Sequence, residues 1–131
     1  MESSSHINLC FDLLNDFSRM QKKYNIKRIC ASTAAAPGYS PSPKMFGFIP
    51  DFYGYSSTLN FAFIGEAKTK DDLANDHTKN QIRAYLKYLD PFKESVIFFR
   101  VEKEDYFRFK RFLKNSFKAK KGTFKVNAES I

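Results

Sequence analysis

The chain has 131 residues, 43% hydrophobic and 17% aromatic, which excludes an intrinsically disordered polypeptide and predicts a single domain over residues 1–131. Lys and Arg number 22 against 14 Asp and Glu, giving a net charge of +8. That excess favours a polyanionic partner, nucleic acid ahead of an anionic membrane surface. No apolar run approaches the length of a membrane span, and MESSSHINLC lacks the basic start and apolar run of a signal peptide, so a cytoplasmic protein with no membrane association is expected.

Residues 5–24 predict an amphipathic helix, because Ile7, Cys10, Phe11, Leu14 and Phe17 recur at three- and four-residue steps. Ser3–Ser5 can cap its start, and Lys22 and Lys23 suit its end. NIKRICAST (25–33) alternates as a short strand. Cys10 and Cys30 show no metal-type spacing and are expected to be buried, unreactive thiols in a reducing compartment. Residues 34–44 carry three of the five prolines and form a loop.

FGFIPDFYGY (46–55) and LNFAFIGEAK (59–68) read as two strands joined by Ser56-Ser57-Thr58 as a hairpin. Residues 71–91 predict a helix, with start signals at Asp72 or Asp76 and a stop at Asp90-Pro91. SVIFFRV (95–101) has the unbroken apolar character of a strand buried on both faces. Residues 102–118 predict a further helix, acids first and bases last, and TFKVN after Gly122 a short final strand. The order α–β–β–β–α–β–α, with helices before, within and after the strands, predicts an α/β fold with a mixed central sheet flanked by helices.

The third strand ends in charge. Glu66 and Lys68 stand two apart, so in an extended chain both point to the same side. In an antiparallel hairpin the start of one strand lies beside the end of the next, which brings Asp51 to the same edge. Two carboxylates held together need positive charge between them. Lys68 supplies part, and a hard divalent cation such as magnesium or manganese would supply more, with the Ala67 carbonyl as a third oxygen ligand. Such a site is suited to phosphodiester hydrolysis.

Pro50-Asp51 followed by Glu66-Ala67-Lys68 resembles the signature of the PD-(D/E)XK nuclease superfamily, and the αβββαβ order resembles its restriction-endonuclease-like core. Gln81-Ile82-Arg83-Ala84-Tyr85 is similar to the QxxxY element of several branches. GEAKTKDDLANDHTKNQ looks like the VRR-NUC branch, and small stand-alone members resemble Holliday-junction resolvases. The resemblance implies a magnesium-dependent deoxyribonuclease, manganese being a possible substitute. Asp51, Glu66 and the Ala67 carbonyl would be metal ligands, Lys68 would act on the attacking water or the transition state, and Gln81 would support the site. It further implies an endonuclease on structured or branched DNA, or the nuclease component of a larger DNA-processing system in replication, repair, recombination, transposition or defence. Without a separate recognition module, substrate shape, a homodimer or a partner protein must set specificity. Members often add an acid from the first helix, for which Glu2, Asp12 and Asp16 are the candidates. DNA contacts are expected from Lys70, Lys79, Arg83, Tyr85, Lys110, Arg111 and Lys114, with Arg108, Lys118, Lys120 and Lys121 in the same basic stretch.

Simpler readings compete at each position. Glu66 and Lys68 alone could form a surface ion pair of little value. Pro50-Asp51 could be only a turn, and Tyr85 only core. His77 reads as a capping or surface residue, and His6 as weaker still. The alternative function is a non-catalytic nucleic-acid-binding module that keeps the fold. Three costly charges kept together argue against it.

Overall fold

The computed structural model describes residues 2–26, 28–120 and 122–128. Lys27, within the expected first strand, and Lys121, within the basic stretch, lie outside the described residues. Three helices and five strands follow the order expected from the sequence, with the fifth strand closing it: α1 (Ser4–Lys23), β1 (Ile29–Ala31), β2 (Phe52–Ser56), β3 (Phe61–Lys68), α2 (Asp76–Leu89), β4 (Glu94–Val101), α3 (Tyr106–Ser116) and β5 (Phe124–Ala128). The strands form one sheet in the order β1-β2-β3-β4-β5. β1, β2 and β3 pair antiparallel, while β3–β4 and β4–β5 are parallel. The fold is therefore α/β with a mixed sheet. Among the described residues no helix is long and apolar enough to cross a membrane.

Several boundaries differ from those expected, for local reasons. The segment 46–51 is not strand. Phe46 and Gly47 both take positive φ, and Met45 and Phe48 close a tight turn through mutual backbone hydrogen bonds. β2 thus begins only at Phe52, with Asp51 in the bend before it. The β2–β3 link is 57–60, where Asn60 also has positive φ. Neither Asp72 nor Asp76 caps α2. Asn75 does, accepting from the Thr78 N–H at 2.9 Å, and Lys70–Asp72 is a separate 3-10 turn. The acids before α3 sit in a second 3-10 turn, Lys103–Asp105.

The two faces of the sheet carry separate apolar layers. Leu9, Leu13 and Phe17 of α1 pack with Phe52, Phe63 and Phe98. Ile82, Tyr85 and Leu89 of α2 and Phe109 and Leu113 of α3 pack with Ile64, Ile97 and Phe99. β3 is central, and all eight of its residues are buried. That burial on both faces explains its nearly continuous apolar sequence. Gly65 is a packing residue: a Cβ there would lie 2.6 Å from the Phe17 ring. The close approach is to core, not to a ligand. Gly65→Ala is expected to destabilise the fold by about 1–3 kcal/mol through overpacking, measurable as a lower urea midpoint with an unchanged slope.

Candidate active site

The β2–β3 register pairs Phe52 with Gly65. Extending it one step sets Asp51 opposite Glu66, as the hairpin argument required. Asp51, Glu66, Lys68 and Gln81 are all buried. The Asp51 N–H donates to Glu66 Oε1 at 3.2 Å, and Asp51 Oδ2 accepts from the Ala67 N–H at 2.9 Å. These two bonds from backbone N–H groups thus tie the start of β2 to the end of β3.

Glu66 and Lys68 lie on the α2 face of β3. The Tyr85 hydroxyl donates to Glu66 Oε1 at 2.7 Å, and Lys68 Nζ stands 3.8 Å from Glu66 Oε2 while donating to Gln81 Oε1. Gln81 and Tyr85, one helical turn apart, therefore hold one member each of the Glu66/Lys68 pair. Burial, with the Asp51 charge beside it, pushes the Glu66 carboxyl up to about 8 despite Lys68 and the Tyr85 bond. Burial and then the Glu66 charge push the Tyr85 hydroxyl up as well, so it stays a donor.

α1 brings a residue the sequence reading set aside. His6 Nε2 lies 3.0 Å from Asp51 Oδ2, and its Nδ1 lies 2.8 Å from Glu2 Oε2. Glu2 is tied down in turn: Oε1 accepts from the Ala34 N–H and Oε2 from the Thr33 hydroxyl, both at 2.7 Å. The hydrogen bond to Asp51 raises the His6 imidazole to about 11, with a smaller contribution from Cys10. Burial raises the Glu2 carboxyl, but the bonds from Ala34, Thr33 and His6 outweigh it and leave the group below its usual range. The spacing Glu2–His6–Cys10, one face of a helix at four-residue steps, was the signal in the sequence that could have found this group.

Of the first-helix acids, only Glu2 reaches the site. Asp12 and Asp16 instead face Arg100, at 3.8 and 3.4 Å. Cys10 is buried but not in bland surroundings, since its Sγ lies 3.9 Å from His6 Nε2; Cys30 is only half-buried. His77 lines the cleft and packs edge-on against Phe48.

A cleft of about 400 Å³ is lined by Glu2, His6, Asp51, Glu66, Lys68 and Gln81, among others. A larger hollow of about 560 Å³ lies at the other end of β3, around Phe61 and Glu94, and none of the expected catalytic residues lines it. Tyr85 is fully buried, so it supports Glu66 and presents no surface to a nucleic acid. Lys70, Arg83, Lys110, Arg111 and Lys114 are exposed and Lys79 is half-buried, but none of them lines the cleft. Lys70 adjoins it through Thr69.

Tyr85→Phe removes the donor to the buried Glu66 carboxyl. It is expected to cost about 1–3 kcal/mol of stability, read by chemical denaturation.

Comparison with protein-family models, with characterised proteins and with solved structures finds no match to this chain.

Proposed function

We propose that this protein is a magnesium-dependent nuclease that hydrolyses DNA phosphodiester bonds on a PD-(D/E)XK-type core. The observation that supports it most is the meeting of Asp51 and Glu66 at the C-terminal end of β3 with Lys68 beside them, all three buried at the wall of a cleft. The donor set fits a hard divalent cation. Burial first and the nearby Asp51 charge second drive the Glu66 carboxyl upward, and a bound cation would offset both. Asp51 Oδ1 carries no hydrogen bond among the described residues, and Glu66 Oε2 has only the Lys68 ammonium at 3.8 Å.

Asp51, Glu66 and the Ala67 carbonyl would hold the ion. When bound, it supplies polarisation of a phosphoryl oxygen and a more acidic water. Lys68, fixed by Gln81, is placed to orient the attacking water or to stabilise charge developing on the phosphate. Tyr85 fixes the Glu66 rotamer, and the two backbone bonds fix Asp51. Exposed Lys70, Arg83, Lys110, Arg111 and Lys114 add a sequence-independent attraction for the DNA backbone. By this reading the substrate is structured or branched DNA, cut endonucleolytically, with DNA shape, a second copy of the chain or a partner protein as sources of specificity.

The test is incubation with plasmid, linear and four-way-junction DNA in magnesium, manganese or EDTA, with Glu66→Ala as control. Cleavage is expected with either metal and not with EDTA or the variant, and preference for the junction selects branched DNA. No metal-dependent cleavage of any substrate, with Glu66→Ala binding DNA as the wild type does, leaves a binding module without catalysis.

A further inference from the structure

We infer that His6, Cys10 and Asp51, with Glu2 behind His6, form a second cation site that takes a borderline divalent metal of the zinc class. Ligand-capable atoms of Glu2, His6, Cys10 and Asp51 all lie within 4.8 Å of one another. His6 Nε2 is 3.0 Å from Asp51 Oδ2 and 3.9 Å from Cys10 Sγ. With zinc–ligand bonds of about 2.0–2.3 Å, tetrahedral neighbours lie roughly 3.3–3.6 Å apart, so the His6–Asp51 and His6–Cys10 separations are each within a few tenths of an ångström of what a zinc ion needs.

The second shell is already in place. Glu2 Oε2 accepts from His6 Nδ1–H at 2.8 Å and is itself held by Thr33 and Ala34. That bond turns Nε2 toward Asp51 and Cys10, the carboxylate–histidine–metal arrangement that orients an imidazole ligand. At present a proton joins His6 to Asp51. A cation would take its place and deprotonate the Cys10 thiol, as bound divalent metals do.

The donor chemistry separates this site from the one proposed for magnesium. Imidazole and thiolate are poor ligands for magnesium and good ones for zinc or cobalt, whereas the oxygen set of Asp51, Glu66 and Ala67 has the opposite preference. Asp51 is common to both, with Oδ2 turned to α1. A hydrogen-bond network alone has no need of a thiol at that point, and an apolar core has no need of a histidine facing it. The site does not rest on the nuclease reading.

Cobalt(II), a spectroscopic substitute for zinc, tests it on the full-length protein. Equimolar cobalt is expected to give intense tetrahedral visible bands and a thiolate-to-cobalt charge-transfer band in the near ultraviolet. Zinc should remove both, and a large excess of magnesium neither. Cys10→Ser should lose the charge-transfer band, Glu2→Gln should weaken cobalt binding about 10–100-fold, and Glu66→Gln should keep the band. A wild type without the band, a band surviving in Cys10→Ser, or one lost in Glu66→Gln overturns the assignment. DNA cleavage is measured separately, so its absence leaves the cobalt result standing.

Discussion

Glu66→Gln is expected to abolish metal-dependent DNA cleavage, lowering the rate by about 10³-fold or more, while making the metal-free protein less sensitive to alkali. The side chain keeps its shape and its contact with Tyr85 but loses the charge that would bind metal. The sign of the pH effect follows from proton linkage. Burial raises the Glu66 carboxyl from an ordinary 4.5 to about 8 in the folded protein, so the folded state holds a proton that the unfolded chain has lost. The stability tied to that proton is complete below about pH 4.5 and drains away as pH rises through about 8. Thermal melts of the metal-free wild type should therefore fall more steeply than those of Glu66→Gln across that window. Under the proposed function magnesium would compete with the same proton, so its stabilising shift in the wild type should grow with pH, and Glu66→Gln should show none. A wild type and variant with parallel pH profiles would remove the electrostatic basis of the site.

Phe17→Ala is the substitution expected to cost most in the fold. Phe17 is fully buried, with its ring 4.6 Å from Phe63, 5.3 Å from Phe52 and 6.0 Å from Phe98, and it fills the space above Gly65. Truncation leaves a cavity between α1 and three strands, where collapse is blocked by the sheet, and about 3–5 kcal/mol should be lost. Because Phe52 and Gly65 adjoin Asp51 and Glu66, cleavage should also fall at temperatures where the variant is still folded. Equilibrium urea unfolding measures the first effect and single-turnover cleavage the second.

The parts of the site that were legible in the sequence were those fixed by short-range geometry. The two-residue period of β3 places Glu66 and Lys68 together, the hairpin brings Asp51 opposite Glu66, and the four-residue step puts Gln81 and Tyr85 on one face of α2. The four-residue steps from Glu2 through His6 to Cys10 mark one helical face, but that this face meets Asp51 depends on where α1 lies against the sheet, a tertiary placement that periodicity does not give. The same holds for choosing Glu2 over Asp12 and Asp16: all three sit in or beside α1, and Arg100 of β4 claims the latter two. At 46–51 the apolar residues suggest an extended strand, but positive φ at Phe46 and Gly47 folds them into a turn. The αβββαβ order, by contrast, follows from apolar runs and breakers that the sheet preserves.

Whether Asp51 and Glu66 hold a metal for phosphodiester hydrolysis is decided by the cleavage rate of labelled DNA across a magnesium titration, wild type beside Asp51→Asn. The wild-type rate should rise from zero and saturate, and the variant, folded by circular dichroism, should stay at background throughout. A wild-type rate that does not depend on magnesium, or a variant that cleaves as the wild type does, contradicts that role.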